Sequence, residues 1–180
     1  MGTSVALLRG INLGSNNRLA MPALREALTA AGYGRVRTYV QSGNIVVDTE
    51  QGPDELAAAL ATLLSREFGL DVPVVIRNAS ELAEVVTRNP FPAEAASNPK
   101  ALQVTFRSEP LQPETLAGLQ ERASSTEKVS GAGREIYSWH PDGIARSKLA
   151  AAITPKYAAA TARNWTTVMT LLEMATTDAD

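Results

Sequence analysis

Polar side chains that could hold an anion gather in the first quarter of this 180-residue chain, beside glycine-rich backbone. The set contains neither a carboxylate nor an imidazole, so it supplies no general acid, general base or metal ligand. Arginine forks and backbone N–H groups are instead the donors that hold phosphate or carboxylate oxygens. The set comprises Arg9, Asn12, Asn16, Asn17, Arg18, Arg37, Thr38, Gln41, Ser42 and Asn44. From it we predict a ligand-binding site of Arg9, Asn12, Arg18, Arg37, Ser42 and Asn44.

Arg163 and Asn164 form a second candidate, at the start of a predicted last helix over 161–175. Thr161 is placed to cap that helix, and free backbone N–H groups at a helix start can face an anion. Trp165 follows at an apolar helical position, which is typical of a core anchor. Whether this helix start and the N-terminal loops form one site is left open by the sequence.

Several of these motifs also have a purely structural interpretation. The segment from Gly10 to Gly14 matches neither the P-loop nor the dinucleotide fingerprint, and a tight loop would use the same glycines. Arg9 and Arg37 would equally serve as surface charges or as partners of the acidic segment 48–98. The single histidine, His140, precedes Pro141-Asp142-Gly143 and is typical of a turn.

Composition excludes several classes of site. The chain has no cysteine and one histidine, which removes disulfide scaffolds, thiol nucleophiles and Cys/His zinc sites. Its net charge is −2, which disfavours a general nucleic-acid coat, although the first 47 residues carry five arginines against one glutamate. No apolar run is long enough to span a bilayer, and the N-terminus lacks a secretory pattern. We therefore expect a cytoplasmic protein with no membrane partner, no metal and no cofactor.

The first half predicts the order β-α-β-β-α-β. Strands are indicated at 4–8, 36–40, 45–48 and 72–76, and the two helices begin at Met21-Pro22 and at Gly52-Pro53-Asp54. The segment Ser42-Gly43-Asn44 between two β-branched runs favours a hairpin. This order is the ferredoxin-like split unit, in which both helices cover one face of an antiparallel sheet.

The second half repeats most of that order. Helices are predicted at 80–87, 113–123, 143–153 and 161–175, strands at 102–106, 127–130 and 135–139, and a loop at 93–100. We therefore predict an α+β protein of two related subdomains. Residues 1–77 form a ferredoxin-like β-α-β-β-α-β subdomain, and residues 78–180 form β-α-β-β-α with a C-terminal amphipathic helix.

Two N-terminal motifs resemble those of the bacterial DUF1697 family, whose function is unknown. They are Leu8-Arg9-Gly10-Ile11-Asn12 and the segment 37–46, RTYVQSGNIV, and Arg163-Asn164-Trp165-Thr166-Thr167 is similar to a third. Asn89-Pro90-Phe91, Pro141-Asp142-Gly143 and Ser147-Lys148-Leu149 extend the resemblance to nearly the whole chain. The resemblance implies two α+β subdomains and no established activity. The first loop departs from the family, because Gly14 is followed by Ser15-Asn16-Asn17-Arg18 where a second glycine and a lysine are usual, and we expect Arg18 to replace that lysine as a cation.

The leading functional hypothesis is a binding protein for a phosphate-bearing ligand, either a nucleotide or a short nucleic acid. Against RNA, the strands of the first half carry only Tyr39 as a stacking aromatic. One alternative is an enzyme acting on a phosphoester or nucleotide, with Ser42 or Lys148 as the reacting group. Another is a protein-interaction module in which the motifs are structural. The oligomeric state is left open.

Overall fold

The structure is a computed structural model that describes residues 2–154 and 159–177. It contains two compact units, Met1–Ala83 with Leu171–Asp180, and Glu84–Thr170. None of the helices in the described ranges is long and apolar enough to cross a membrane. The predicted subdomain boundary, between residues 77 and 78, lies before the last residue of a strand that ends at Asn78. This boundary stays a prediction.

The first unit has the predicted element order. It runs through β1 (Gly2–Leu8), α1 (Met21–Ala30), β2 (Gly34–Tyr39), β3 (Asn44–Thr49), α2 (Pro53–Phe68) and β4 (Val74–Asn78). The sheet order is β2-β3-β1-β4 and every neighbouring pair is antiparallel. Because β3 lies between β1 and β2, which α1 connects, this is the split unit predicted from the sequence.

One face of that sheet carries the core of the first unit. Alternate strand residues and the apolar stripes of both helices form one buried cluster, which includes Ala6, Leu8, Ile45, Val47, Leu24, Leu28, Leu56, Leu60 and Leu64. Pro22 and Pro53 lie in the first turns of α1 and α2, where a missing N–H costs nothing. Gly69 ends α2 in the left-handed conformation, which glycine adopts without steric cost.

The second unit repeats the same topology. The chain after β4 forms α3 (Ala79–Thr87), α4 (Pro92–Ser97), β5 (Leu102–Arg107), α5 (Pro113–Gln120), β6 (Lys128–Ala132), β7 (Glu135–Trp139), α6 (Lys148–Ile153), β8 (Ala160–Asn164) and α7 (Trp165–Thr176), and the boundaries of the two units fall inside α3 and α7. The sheet order β6-β7-β5-β8 matches that of the first sheet, strand for strand. The prediction of two related α+β subdomains is therefore confirmed.

Three predictions for the second half are wrong in detail. Residues 160–164 form strand β8, paired with β5, and the last helix begins at Trp165 instead of Thr161. The predicted loop 93–100 contains the short helix α4, for which Pro92 sets the first turn. Helix α6 begins at Lys148 instead of residue 143, because the Ser147 hydroxyl accepts from the N–H of Ala150 and caps it there.

Candidate functional site

The loop between β1 and α1 is joined to the β2–β3 turn by one side chain, Asn12. Its amide nitrogen donates to the carbonyl oxygens of Leu19, at 2.9 Å, and Gln41, at 2.7 Å. Its amide oxygen accepts from the N–H of Leu19 at 2.8 Å. Asn12 adopts φ 56°, a conformation that asparagine tolerates better than most residues. The predicted ligand residue thus holds two polar loops against each other.

The rest of the β1–α1 loop is a tight structure that binds itself. The N–H of Asn12 donates to the carbonyl of Asn17, and the Asn17 amide donates to the carbonyl of Gly10. Positive φ values at Gly10, Gly14 and Asn17 make this path possible. Within the loop, the asparagine side chains determine the backbone shape, while the arginines Arg9 and Arg18 flank it.

The β2–β3 turn packs tightly against β1. Gly43 has φ 77°, its carbonyl accepts from the N–H of Leu8, and a Cβ there would lie 2.7 Å from the Cβ of Leu8. Asn44 is fully buried, and its amide nitrogen donates to the carbonyl of Tyr39 and to the Ser42 hydroxyl, each at 3.0 Å. Val40 adopts φ 49°, a strained value for a β-branched residue. Asn44 and Ser42 therefore set the shape of the turn.

Arg35 and Arg37 come from β2 and have different environments. The Nε and Nη2 of Arg35 donate to the two carboxylate oxygens of Asp48, at the other end of the β2–β3 ladder. The hydrogen bond from Arg35 lowers the pKa of Asp48, and the Thr3 hydroxyl and the charge of Arg37 lower it further, against the effect of burial. In the part of the chain that the structure describes, the buried Nε and Nη2 of Arg37 have no hydrogen-bond partner.

Arg163 and Asn164 belong to the second unit and are used within it. Arg163 is 8% exposed, and its Nη1 donates to the Thr161 hydroxyl at 2.6 Å and to the carbonyl of Ala162 at 2.8 Å. Burial lowers the pKa of Arg163 to about 10, so the side chain is still charged near neutral pH. The Asn164 side chain accepts from the N–H of Thr167 and so caps α7, the role that the sequence predicted for Thr161.

A buried polar network in the second unit was not predicted. It joins His140, which is 1% exposed, to Glu127 and Ser147. The Nδ1 of His140 lies 2.7 Å from a carboxylate oxygen of Glu127, and its Nε2 lies 2.9 Å from the Ser138 hydroxyl. The Ser147 hydroxyl donates to the same oxygen of Glu127. His140 does begin a turn, since its carbonyl accepts from the N–H of Gly143, but its ring is buried.

In a Ser-His-acid catalytic triad the hydroxyl and the carboxylate bind opposite nitrogens of the ring. Ser147 does not have that place, because Ser147 and Glu127 both face Nδ1 of His140. The hydroxyl on the Nε2 side, opposite Glu127, belongs to Ser138, which is buried. Through Ser147, the network fixes the start of α6.

Burial alone would raise the pKa of Glu127, but its hydrogen bonds outweigh that effect. The N–H of Ser124, the hydroxyl of Ser147 and the ring of His140 together lower the pKa to about 2. A carboxylate of that pKa is a weak general base near neutral pH.

A cavity of about 600 Å³ lies beside this network. Arg122, Ser124, Glu127, Asp142, Gly143, Arg146, Ser147 and Lys148 line it. Lys148, one of the two predicted reacting groups, is thus exposed on a concave surface. Across residues 2–154 and 159–177, no group of three His, Asp or Glu side chains could hold a metal ion.

Comparison with known proteins places the fold and the family. No curated protein matches the chain. A conserved bacterial protein from Streptococcus pneumoniae of known structure is similar over 97% of this chain and 98% of its own, with a TM-score of 0.77 and 20% sequence identity. At that identity the likeness shows the fold alone. The family described as "Protein of unknown function (DUF1697)" matches residues 1–137, which include both N-terminal motifs. The chain therefore belongs to the DUF1697 family.

Proposed function

We propose that this protein binds a phosphate-bearing ligand, a nucleotide or a short nucleic acid, through the arginines beside the β1–α1 loop and the β2–β3 turn. The observation that carries the proposal is the guanidinium of Arg37. Its Nε and Nη2 are buried and lack a hydrogen-bond partner among the described residues. Burying a charged donor without an acceptor costs free energy. An anionic ligand would supply the missing acceptor.

Arg35 shows what the unpartnered edge of Arg37 is suited to hold. Arg35 uses its own Nε and Nη2 to hold both oxygens of Asp48, the bidentate geometry in which arginine recognises planar or tetrahedral oxyanions. Arg37 presents the same edge two residues along β2, on the strand next to the turn that contains Ser42. A phosphate with two free oxygens would complete the pair of hydrogen bonds.

The predicted site residues divide into two roles in this proposal. Arg9, Arg18 and Arg37 contact the ligand, since they supply positive charge just after β1, near the end of the β1–α1 loop and within β2. Asn12, Ser42 and Asn44 position these loops, because their side chains are committed to backbone or to each other. Arg163 and Asn164 are left out of the proposed contacts, because their hydrogen bonds hold β8 and the start of α7.

The proposal predicts opposite effects of Arg37→Ala on binding and on stability. Removing a buried cation that lacks an acceptor relieves a desolvation cost, so the free energy of unfolding of the free protein should stay the same or rise. Binding should weaken at the same time. An arginine that was purely structural would give the reverse result, a loss of stability with no effect on ligands.

Ligand-induced thermal shift tests the proposal. The parent protein and Arg37→Ala are melted with nucleotides, short RNA and short DNA. A ligand at about 100 times its Kd adds roughly 2.7 kcal/mol, which raises Tm by roughly 5 to 10 °C for a chain of this size. We expect Arg37→Ala to lose most of that shift, and Arg37→Lys to lose part of it because lysine keeps the charge but not the fork.

The matched control is Arg66→Ala, which removes the same charge from the exposed surface of α2. It should leave the shift unchanged. Equal responses of the parent and Arg37→Ala to every ligand would refute the site. If no ligand shifts the parent while Asn12→Ala and Asn44→Ala fail to fold, the motifs are structural and the interaction-module hypothesis takes its place.

A further inference from the structure

We propose a second, separate ligand site in the cavity between the α5–β6 loop and the β7–α6 loop, which takes a small phosphorylated molecule that also carries hydroxyl groups. This site does not depend on the function proposed for the first unit. It is built from three cations on one concave wall, Arg122, Arg146 and Lys148. The cavity volume, about 600 Å³, is in the range of small-molecule sites and suits a monomeric ligand better than an extended polymer.

The acidic and basic side chains around the cavity differ in how many hydrogen bonds they make to the rest of the protein. The carboxylate of Glu127 accepts from Ser147 and His140 on one oxygen and from the N–H of Ser124 on the other. Both oxygens of this carboxylate are therefore engaged by groups of the cavity wall. Within the described residues, no ion pair or hydrogen bond engages the charged end of Arg122, Arg146 or Lys148. The charge exposed to a ligand is therefore mostly positive, as phosphate recognition requires.

Asp142 gives the cavity its second kind of contact. One of its carboxylate oxygens accepts from the Thr126 hydroxyl at 2.8 Å, which fixes the side chain at the cavity wall. A carboxylate in such a position repels a bare anion but accepts hydrogen bonds from neutral hydroxyl groups. Three cations with one oriented carboxylate thus favour a phosphate monoester of a hydroxylated molecule over inorganic phosphate.

The buried network makes the cavity wall rigid. The Ser147 hydroxyl donates to Glu127 and accepts from the N–H of Ala150. These bonds fix the backbone at Ser147, and therefore the positions from which the side chains of Arg146 and Lys148 extend. Glu127 precedes and His140 follows the β6–β7 hairpin, next to the paired residues Lys128 and Trp139, so both lie at its open end. A preformed wall reduces the ordering cost of binding.

Calorimetric titration with ribose 5-phosphate tests this site, with ribose as the unphosphorylated comparison. We expect saturable binding of the phosphate ester and none of ribose. Arg122→Ala and Arg146→Ala should each weaken binding about tenfold, the loss typical of one charge-assisted hydrogen bond. Asp142→Asn should reduce the preference for ribose 5-phosphate over inorganic phosphate.

Two controls separate this site from general charge effects and from the first unit. Lys100→Ala removes one exposed positive charge from the same unit outside the cavity and should leave the affinity unchanged. Arg37→Ala should also bind ribose 5-phosphate normally, so a failure of the first proposal is distinguishable from a failure of this one. Absence of saturable binding by the parent up to about 10 mM, or an equal loss in Lys100→Ala and Arg146→Ala, would overturn the proposal.

Discussion

Substitution of Glu127 by glutamine should remove a pH-dependent part of the stability of the second unit. The carboxylate accepts hydrogen bonds from Ser124, Ser147 and His140, and only 9% of its side chain is exposed. Glutamine has nearly the same size but carries no charge. Its NH₂ group would also point a donor at one of three existing donors, so at least one hydrogen bond is lost.

The magnitude follows from the pKa. Burial would raise the pKa of Glu127, yet its three hydrogen-bond donors lower it from 4.5 to about 2. At about 1.4 kcal/mol for each tenfold change in proton affinity, this corresponds to at most about 3.5 kcal/mol. Because the carboxylate lies at the wall of an open cavity, screening by solvent reduces the expected value to about 1 to 2 kcal/mol.

The sign of the pH dependence is fixed by the direction of the pKa shift. A carboxyl group whose pKa is lower in the folded state stabilises the protein above its unfolded pKa, here 4.5, and loses that contribution as the pH falls towards about 2. The stability difference between the parent and Glu127→Gln should therefore be largest near neutral pH and shrink through this range.

Urea unfolding at a series of pH values measures this difference. Glu121→Gln is the matched control, since Glu121 lies on the exposed surface just after α5, and its effect should be small at every pH. A difference between the parent and Glu127→Gln that stays constant from about pH 7 to about pH 2 would show that the charge of Glu127 contributes nothing, which would refute the reasoning.

Two further predictions concern backbone conformation in the β2–β3 turn. Gly43→Ala should lower the free energy of unfolding, measured in urea, by about 2 to 4 kcal/mol, because the new Cβ would lie 2.7 Å from the Cβ of Leu8 and the backbone has φ 77°. Gly118→Ala is the control, since Gly118 in α5 has open space around it, and it should cost nothing. Equal effects of the two substitutions would contradict the steric argument. Val40→Gly should raise the free energy of unfolding by up to about 1 kcal/mol, because glycine adopts the positive φ of this position without strain. Val40→Ala should give no such gain. A loss of stability in Val40→Gly would show that the valine side chain contributes more than the strain costs.

The first unit could be predicted from the sequence because its signals are local. Pro22, Pro53 and Gly69 mark helix ends, and the alternating apolar residues of the strands mark the buried face of the sheet. The strand β8 was missed because its residues, 160–164, are small or polar and are followed directly by the helical spacing that begins at Trp165. Its identity as a strand depends on pairing with β5, a contact that no local pattern shows.

The candidate residues were predictable by type but not by role. Asparagine and serine in polar loops indicate either ligand contact or turn formation, and only the hydrogen bonds of Asn12 and Asn44 show that both side chains hold backbone. The network of Glu127, His140 and Ser147 had a partial signal. The predicted β6–β7 hairpin brings residues 127 and 140 to the same end, but the cap that adds Ser147 depends on where α6 begins.

The two motifs that identify the family describe one piece of structure. Although they lie about thirty residues apart, Asn12 in the first donates to Gln41 in the second, and Leu8 in the first donates to Gly43 in the second. The amides and glycines of both motifs are therefore accounted for by the joining of β1 to the β2–β3 turn. The buried Nε and Nη2 of Arg37 are not, since they have no hydrogen-bond partner among the described residues. Substitutions of the asparagines should thus report on folding, and substitution of Arg37 on function.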